Sequence, residues 1–336
     1  MAMNRLRPTI NDVARAAGVS RATASRVVNG APGASGAMRA RVHAAVAELG
    51  WQPNESARAL ASGRRRAIDV IAMPSGAGIG WLGTHPYFSR VLAGMMPVLE
   101  SADVQLRLHA MNREASVDTV EEIAANATLG VLLADTTPEM AARLYRRCRR
   151  VVSMVPTAAP VPGMEADNAG GAYAAVKELY GLGRRRIAAV HGPADNPCAN
   201  SRRLGYRRAV ADLGLTAVEA DGAFSREGGY AAVLRMLESD PRTDALFVAC
   251  DLMAAGAVQA VTATGRSVPR DVSVIGFDDS IAAACSTPPL TTMRLPVEEM
   301  AAAAAGLLLD GSLVPGHRQH FPVELVIRQS TEHHGH

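Results

Sequence analysis

Residues 9–30 read TINDVARAAGVSRATASRVVNG, a pattern of two short helices joined by a tight turn. Thr9 stands where its hydroxyl can accept from a free amide of the first turn. Asp12 follows three residues on, where a carboxylate favours the positive end of a helix. That helix runs from Ile10 to Ala17 and stops at Gly18. Ser20 caps the next, Arg21 to Val28, which turns Ala24, Val27 and Val28 inward and leaves Arg21, Ala22, Ser25, Arg26 and Asn29 outward. A third helix is predicted from Gly36 to Leu49, with Val42, Ala45, Val46 and Leu49 at helical spacing and Gly50 as its stop. The three make a small all-α core.

After Pro53 the chain continues NESARALASGRRR, with helix formers but too few apolar residues to bury a face. Such a segment is a linker with a conditional helix. Residues 1–66 contain eleven arginines and three acidic residues, a net charge of +8 in a chain of net charge +3, so the remainder carries −5. A basic head on a mildly acidic body points to a polyanion-binding module joined to a domain of another kind; the competing reading is a solvated charge run.

From Ala67 onward, short apolar runs such as AIDVIAM, LGVLLA, RIAAVHG, ALFVAC and VSVIGFD alternate with longer helical stretches. Strict alternation means parallel sheets with helices on both faces, and the strand count exceeds one sheet of usual size. A second start at Arg186 implies two doubly wound lobes with a ligand cleft between them. The closing PVEEMAAAAAGLLLDG and HFPVELVIR add a helix and an antiparallel strand. The expected organisation is a head over 1–50, a hinge over 51–66 and a body over 67–336. Within the body the first lobe takes about 67–165 plus 280–294, and the second about 166–279 plus 295–330.

At 336 residues, 48% hydrophobic and 20% charged, the chain is not disordered as a whole. It has no run of about eighteen apolar residues, and its opening MAMNRLRPTINDVARAAG lacks a signal-peptide core; a cytoplasmic protein without a membrane partner is expected. Cys148, Cys198, Cys250 and Cys285 are too dispersed for a disulfide scaffold or zinc knuckle. The Gly-rich SGAGIG lacks the Lys-Ser/Thr ending of a phosphate loop, and no nucleophile elbow occurs. His317 and His320, with the histidines of the tail, have no carboxylate or thiol partner that would complete a metal site. No catalytic residue, metal or cofactor is expected.

The run TINDVARAAGVSRATASRVVNG, followed by GWQPNESARALA, resembles the lactose-repressor and purine-repressor family of bacterial transcription factors. The resemblance continues through HPYFSRVLAGM, DNAGGAYAAVKEL, RRLGY, VACDLMAAGA and VSVIGFDD with PPLTTMR. It implies a helix-turn-helix head and a two-lobed body like that of periplasmic binding proteins. Arg21 and Ala22 then occupy the positions that choose DNA sequence, Arg21 suited to guanine and Ala22 to a thymine methyl, with Arg26 as a further base reader. Thr9, Ser20, Thr23, Ser25, Asn29 and Ser35 match phosphate-facing positions, whereas Met38 replaces the usual hydroxyl residue. Two copies of Pro53 to Ala61 would form paired hinge helices in the minor groove, with Leu60 as the wedge and Asn54 and Ala57 beside it.

In the body the resemblance implies a small effector, a sugar or a purine. Arg202 matches its arginine ligand and Asp278 the carboxylate at the cleft edge, a donor and an acceptor that suit a sugar hydroxyl. Trp81, Tyr87 and Phe88 fall together after the first strand, and Phe224 falls where the family often stacks an aromatic; core packing is the competing role, above all for Tyr87. Cys250, ahead of Asp251, replaces a sugar-contacting asparagine, which implies a less polar pocket or another ligand pose. The function expected is a homodimeric repressor of carbohydrate genes that binds a pseudo-palindromic operator and is released by a sugar. A corepressor-dependent regulator of purine type and a sugar receptor that does not bind DNA are the alternatives. The closing STEHHGH has no heptad pattern, which favours a dimer over a tetramer.

Overall fold

The computed structural model describes residues 8–28, 33–51, 65–73, 82–83, 85–111, 117–157 and 159–331. The chain divides into two units, residues 1–64 and 65–336.

In the first unit the three expected helices form with the expected bounds: α1 (Ile10–Ala17), α2 (Arg21–Val28) and α3 (Gly36–Leu49). Val13, Ala17, Val27, Ala34, Val42 and Ala45 share a core that Trp51 closes from just beyond α3. The cap of α1 differs from the expected one. The Thr9 hydroxyl donates to Asp12 Oδ2 at 2.7 Å, and the same oxygen accepts the Thr9 backbone N–H at 2.9 Å. A carboxylate is a stronger acceptor than a hydroxyl, so Asp12 takes both protons. These bonds, the hydroxyl first, hold the Asp12 carboxyl below the usual carboxylate range.

The second unit contains two sheets. The first holds β1 (Ala67–Ala72), β2 (Gln105–Ala110), β3 (Gly130–Asp135), β4 (Val151–Ser153), β5 (Gly163–Ala166) and β11 (Arg318–Phe321), in the order β11-β5-β4-β3-β1-β2 and parallel throughout. The second holds β6 (Ile187–His191), β7 (Val218–Asp221), β8 (Ala245–Val248), β9 (Ser273–Asp278), β10 (Thr291–Arg294) and β12 (Glu324–Val326), in the order β12-β10-β9-β8-β6-β7. Here β12 alone runs antiparallel, against β10. Helices α4 (Pro86–Ser101), α5 (Val117–Asn126) and α6 (Pro138–Arg147) connect the first sheet. Helices α7 (Asn168–Gly181), α8 (Pro197–Asp212), α9 (Arg226–Ser239), α10 (Asp251–Ala263) and the short α11 (Ile281–Cys285) connect the second, and α12 (Val297–Asp310) follows β10.

The lobe boundaries expected from sequence are corrected at the C-terminal end. Residues 280–294 belong to the second lobe, because Ala283 and Leu290 pack in its core with Met253 and Val274, and β10 lies parallel to β9 with Thr291 opposite Ile275 and Arg294 opposite Asp278. Residues 297–321 belong to the first. Met300, Ala304 and Leu308 of α12 share a core with Val91, Met95 and Leu99 of α4, and each of these side chains larger than alanine contributes about 1.5–3 kcal/mol on burial. The single strand expected over HFPVELVIR is two strands, β11 and β12, one in each lobe. The chain therefore crosses between lobes three times, at residues 166–168, 294–297 and 321–324. Among the described residues no helix is long and apolar enough to cross a membrane.

Candidate functional site

Two surfaces carry the predicted site residues. On the head, Arg21, Ala22 and Arg26 are exposed along one side of α2, and Thr23 and Ser25 are half-buried beside them. Ser20 Oγ accepts the Thr23 amide at 3.1 Å, and Ser35 Oγ accepts the Met38 amide at 3.3 Å. Each hydroxyl thus caps a helix and stays exposed with Thr9. The ion pair among the head's described residues joins Arg15 to Asp12 at 3.4 Å; Arg21 and Arg26 take no part in it. Asn29, Asn54, Ala57, Leu60 and Trp81 lie outside the described residues.

In the body a cavity of about 60 Å³ opens between the lobes, at the C-terminal ends of the strands. Doubly wound sheets place ligands there because the strand ends leave a crevice where successive connections diverge. Tyr87, Phe88, Arg202, Phe224, Cys250 and Asp278 all line it. Arg202, only 4% exposed, donates from Nε to Asn168 Oδ1 at 2.8 Å and from Nη1 to the Ala249 carbonyl. Its Nη2 lies 3.2 Å from Asp278 Oδ1. Burial pushes the Asp278 carboxyl up, while Arg202 and Arg90 pull it down. The Asp278 backbone sits at φ 118°, which costs an L residue strain.

The aromatic wall is built from both lobes. Tyr87 donates its hydroxyl to the Ala134 carbonyl at 2.8 Å, and burial raises its pKa well above the ordinary value. Phe224, also at positive φ, meets the His85 ring edge-on at 6.3 Å between centroids. Gly192 makes room for it, since a Cβ there would lie 2.2 Å from the Phe224 ring. His85 caps α4 by accepting the Tyr87 amide at 3.2 Å, and burial pushes its imidazole down to about 4.

Asp251 is corrected. It is fully buried behind the wall, where Oδ1 accepts from Thr292 Oγ1 at 2.6 Å and Oδ2 from the Ser280 amide at 2.7 Å. Its side chain turns back from the start of α10 to hold the ends of β9 and β10 and does not line the cavity. Burial, then the Asp278 carboxylate, raises it to about 7. The cavity also contains polar residues that the sequence reading missed, namely His85, Asp135, Asn168 and Asn196. Asn196 Nδ2 donates to Asp135 Oδ1 at 3.3 Å across the lobes, and its Oδ1 caps α8 by accepting the Ala199 amide at 3.0 Å. Each missed residue ends a strand or stands at a helix start beside the crevice, and that position was the available signal. The Cys198 thiol, another lining group, is pushed by burial up to about 12. Among the described residues no group of three or more His, Cys, Asp or Glu side chains could hold a metal ion.

Comparison with known proteins matches the two units to two families. Residues 9–54 match the bacterial regulatory proteins of the lacI family, and residues 176–331 match the periplasmic binding protein-like domain. The HTH-type transcriptional regulator CelR of Thermobifida fusca is 34% identical, over 97% of this chain and 99% of the relative. The solved structure of a transcriptional regulator CelR–cellobiose complex superposes with a TM-score of 0.71 at 31% identity, covering 96% of this chain and all of that one. A lac repressor dimer bound to operator and the anti-inducer ONPF gives 0.70 at 28% identity, with coverage of 97% and 99%. The exposed helix-turn-helix, the cleft between two doubly wound lobes and this likeness over nearly the whole length agree, and the chain belongs to the lacI family of bacterial regulatory proteins.

Proposed function

We propose that the protein is a cytoplasmic, homodimeric repressor that binds a pseudo-palindromic operator and releases it on binding a sugar, acting by binding and not by catalysis. The observation that carries this reading is the buried Arg202–Asp278 pair on the cavity wall. A guanidinium beside a carboxylate gives one hydroxyl-rich ligand both donors and an acceptor. The CelR complex with cellobiose supports a sugar, and the lac repressor dimer on its operator supports two heads on one duplex.

Arg21, Ala22 and Arg26 read base edges in this proposal, and Thr9, Ser20, Thr23, Ser25, Asn29 and Ser35 face phosphates. Asn54, Ala57 and Leu60 enter the minor groove, while Trp81, Tyr87, Phe88, Phe224 and Cys250 surround the sugar. A pocket for a small molecule encloses about 300 Å³ or more, so a cavity of about 60 Å³ admits a sugar only as the lobes move apart.

The test is to select operators from random duplexes and titrate the complex with cellobiose, maltose and ribose. Release supports the proposal. Tighter operator binding identifies a corepressor, and indifference to every sugar removes the sugar from the reading.

A further inference from the structure

Arg90 stands on α4 in the first lobe, and its guanidinium spends four hydrogen bonds on three other segments. Nε and Nη2 donate to Glu298 Oε1 and Oε2 at 2.6 and 2.7 Å. Nη2 also donates to the Leu295 carbonyl at 2.8 Å, and Nη1 to the Asp278 carbonyl at 2.7 Å. Glu298 lies in the first turn of α12, Leu295 in the second crossover, and Asp278 at the end of β9, with its carboxylate on the cavity wall. One side chain of the first lobe therefore grips both a crossover and the peptide that carries the cavity's acidic group.

The two ends of this grip differ in stiffness. One turn after Arg90, Gly94 approaches α12 so closely that a Cβ would lie 2.2 Å from the Glu298 carbonyl oxygen. Arg90 and Glu298 are thus fixed to each other and to the first lobe. At the other end Asp278 holds a strained backbone, and its carbonyl accepts both the Arg90 guanidinium and the Leu295 amide, the latter at 3.2 Å. Movement of the second lobe about this crossover displaces the Asp278 peptide relative to Arg90. A fork with several fixed donors makes that displacement costly.

We propose that Arg90 is a positioning residue for the effector. It holds Asp278 in its strained geometry and ties it to the first lobe, so that a ligand taken up by the carboxylate alters the angle between lobes. This rests on the reading of the cavity as a sugar site. An ion pair that merely joined α4 to α12 would need Glu298 alone, whereas two of the three acceptor residues offer backbone carbonyls at the crossover.

The experiment compares the full chain with Arg90→Met and with the double variant Arg90→Glu plus Glu298→Arg, which restores an ion pair but leaves position 90 without a donor for the carbonyls. Cellobiose affinity is measured by calorimetry, operator affinity by titration, and exchange of the Leu295 amide by hydrogen–deuterium exchange of the unliganded protein. Both variants should bind cellobiose about tenfold or more weakly, keep operator affinity within about threefold and exchange the Leu295 amide faster. Full rescue of cellobiose affinity by the charge swap, or an unchanged Arg90→Met, overturns the proposal. If the parent protein binds no cellobiose, the sugar reading is what fails, and the exchange of Leu295 decides Arg90 by itself: faster in both variants supports the clamp, unchanged refutes it. Should Arg90→Met not fold, Arg90→Lys takes its place, with one ammonium that cannot reach all three partners.

Discussion

The guanidinium of Arg202 lies over Phe277, its Cζ 3.8 Å from the ring centroid, and its Nη2 pairs with the carboxylate of the very next residue, Asp278. Stacking and pairing come from adjacent residues of one strand end, so the arginine is held on its face and at its edge at once. Such a cation is fixed before any ligand arrives, which lowers the ordering cost of binding.

Arg202→Met should leave operator affinity near normal and abolish release by sugar, because it removes ligand contacts and leaves the head untouched. It should also lower stability by about 3 kcal/mol, since Asp278 loses its buried partner. Adding Asp278→Asn should recover much of the melting temperature without restoring the sugar response. Denaturant melts beside operator titrations check both points, and a normal sugar response in Arg202→Met would remove the residue from the site.

On the head, Arg21→Ala should cost about 1–3 kcal/mol and relax preference at one symmetric pair of operator positions, whereas Ser25→Ala should weaken binding to all sequences alike. Binding curves on operator variants separate the two. Equal losses across every variant for Arg21→Ala would contradict a base contact.

Acid stability should depend on opposed buried groups. Burial, with Arg203 beside it, pushes His191 down to about 4, from an ordinary 6.5. The folded state prefers the neutral ring, so the stability His191 contributes is complete above pH 6.5 and is lost as the pH falls towards 4. His85 acts in the same sense. Asp251, raised from 3.8 to about 7, acts in the opposite sense: its contribution is complete below 3.8 and is lost as the pH rises through 7. His191→Leu should therefore flatten the decline in melting temperature between pH 6.5 and 4.5, with about one proton fewer taken up on unfolding, and Asp251→Asn should steepen it. Thermal scans across that range decide it; parallel curves for all three proteins would refute the assignment.

Asn196→Asp keeps an oxygen to cap α8 but sets a second carboxylate against Asp135 across the lobes. Like charges at that distance repel, so the cleft should open. Modification of the Cys198 thiol should then quicken several-fold, in a Cys285→Ser background that removes the exposed thiol. No change in rate would mean that this pair does not hold the lobes together.

How far the sequence could be read follows from how local each feature is. The bounds of the head's helices were legible because their signals are local: Ser20 lies three positions from the Thr23 amide it caps, and Gly18 and Gly50 stop the helices they follow. Trp51 was missed as a core residue because it follows the stop glycine, where helical periodicity no longer applies. The strand-helix alternation gave both sheets, yet not the lobe of β10 or α12, since that depends on pairing with β9 and packing against α4, far away along the chain. Arg202 and Asp278 could be named through family motifs, whereas Asp135 and Asn196 belong to no motif and meet only when the two crevices face each other.

The threefold crossing has a consequence for synthesis. The first sheet is bordered by Arg318–Phe321, and the helix that covers α4 spans Val297–Asp310. A ribosome making this chain at about 5–20 residues per second releases the whole of the second lobe's parallel sheet before it delivers the last strand of the first. The head, whose core is drawn from Val13 to Trp51, can fold long before that. For the interval between, a growing chain holds a formed DNA-reading head on a body whose first lobe lacks its border strand and the apolar cover of α4, and the effector cleft is completed only when both lobes are.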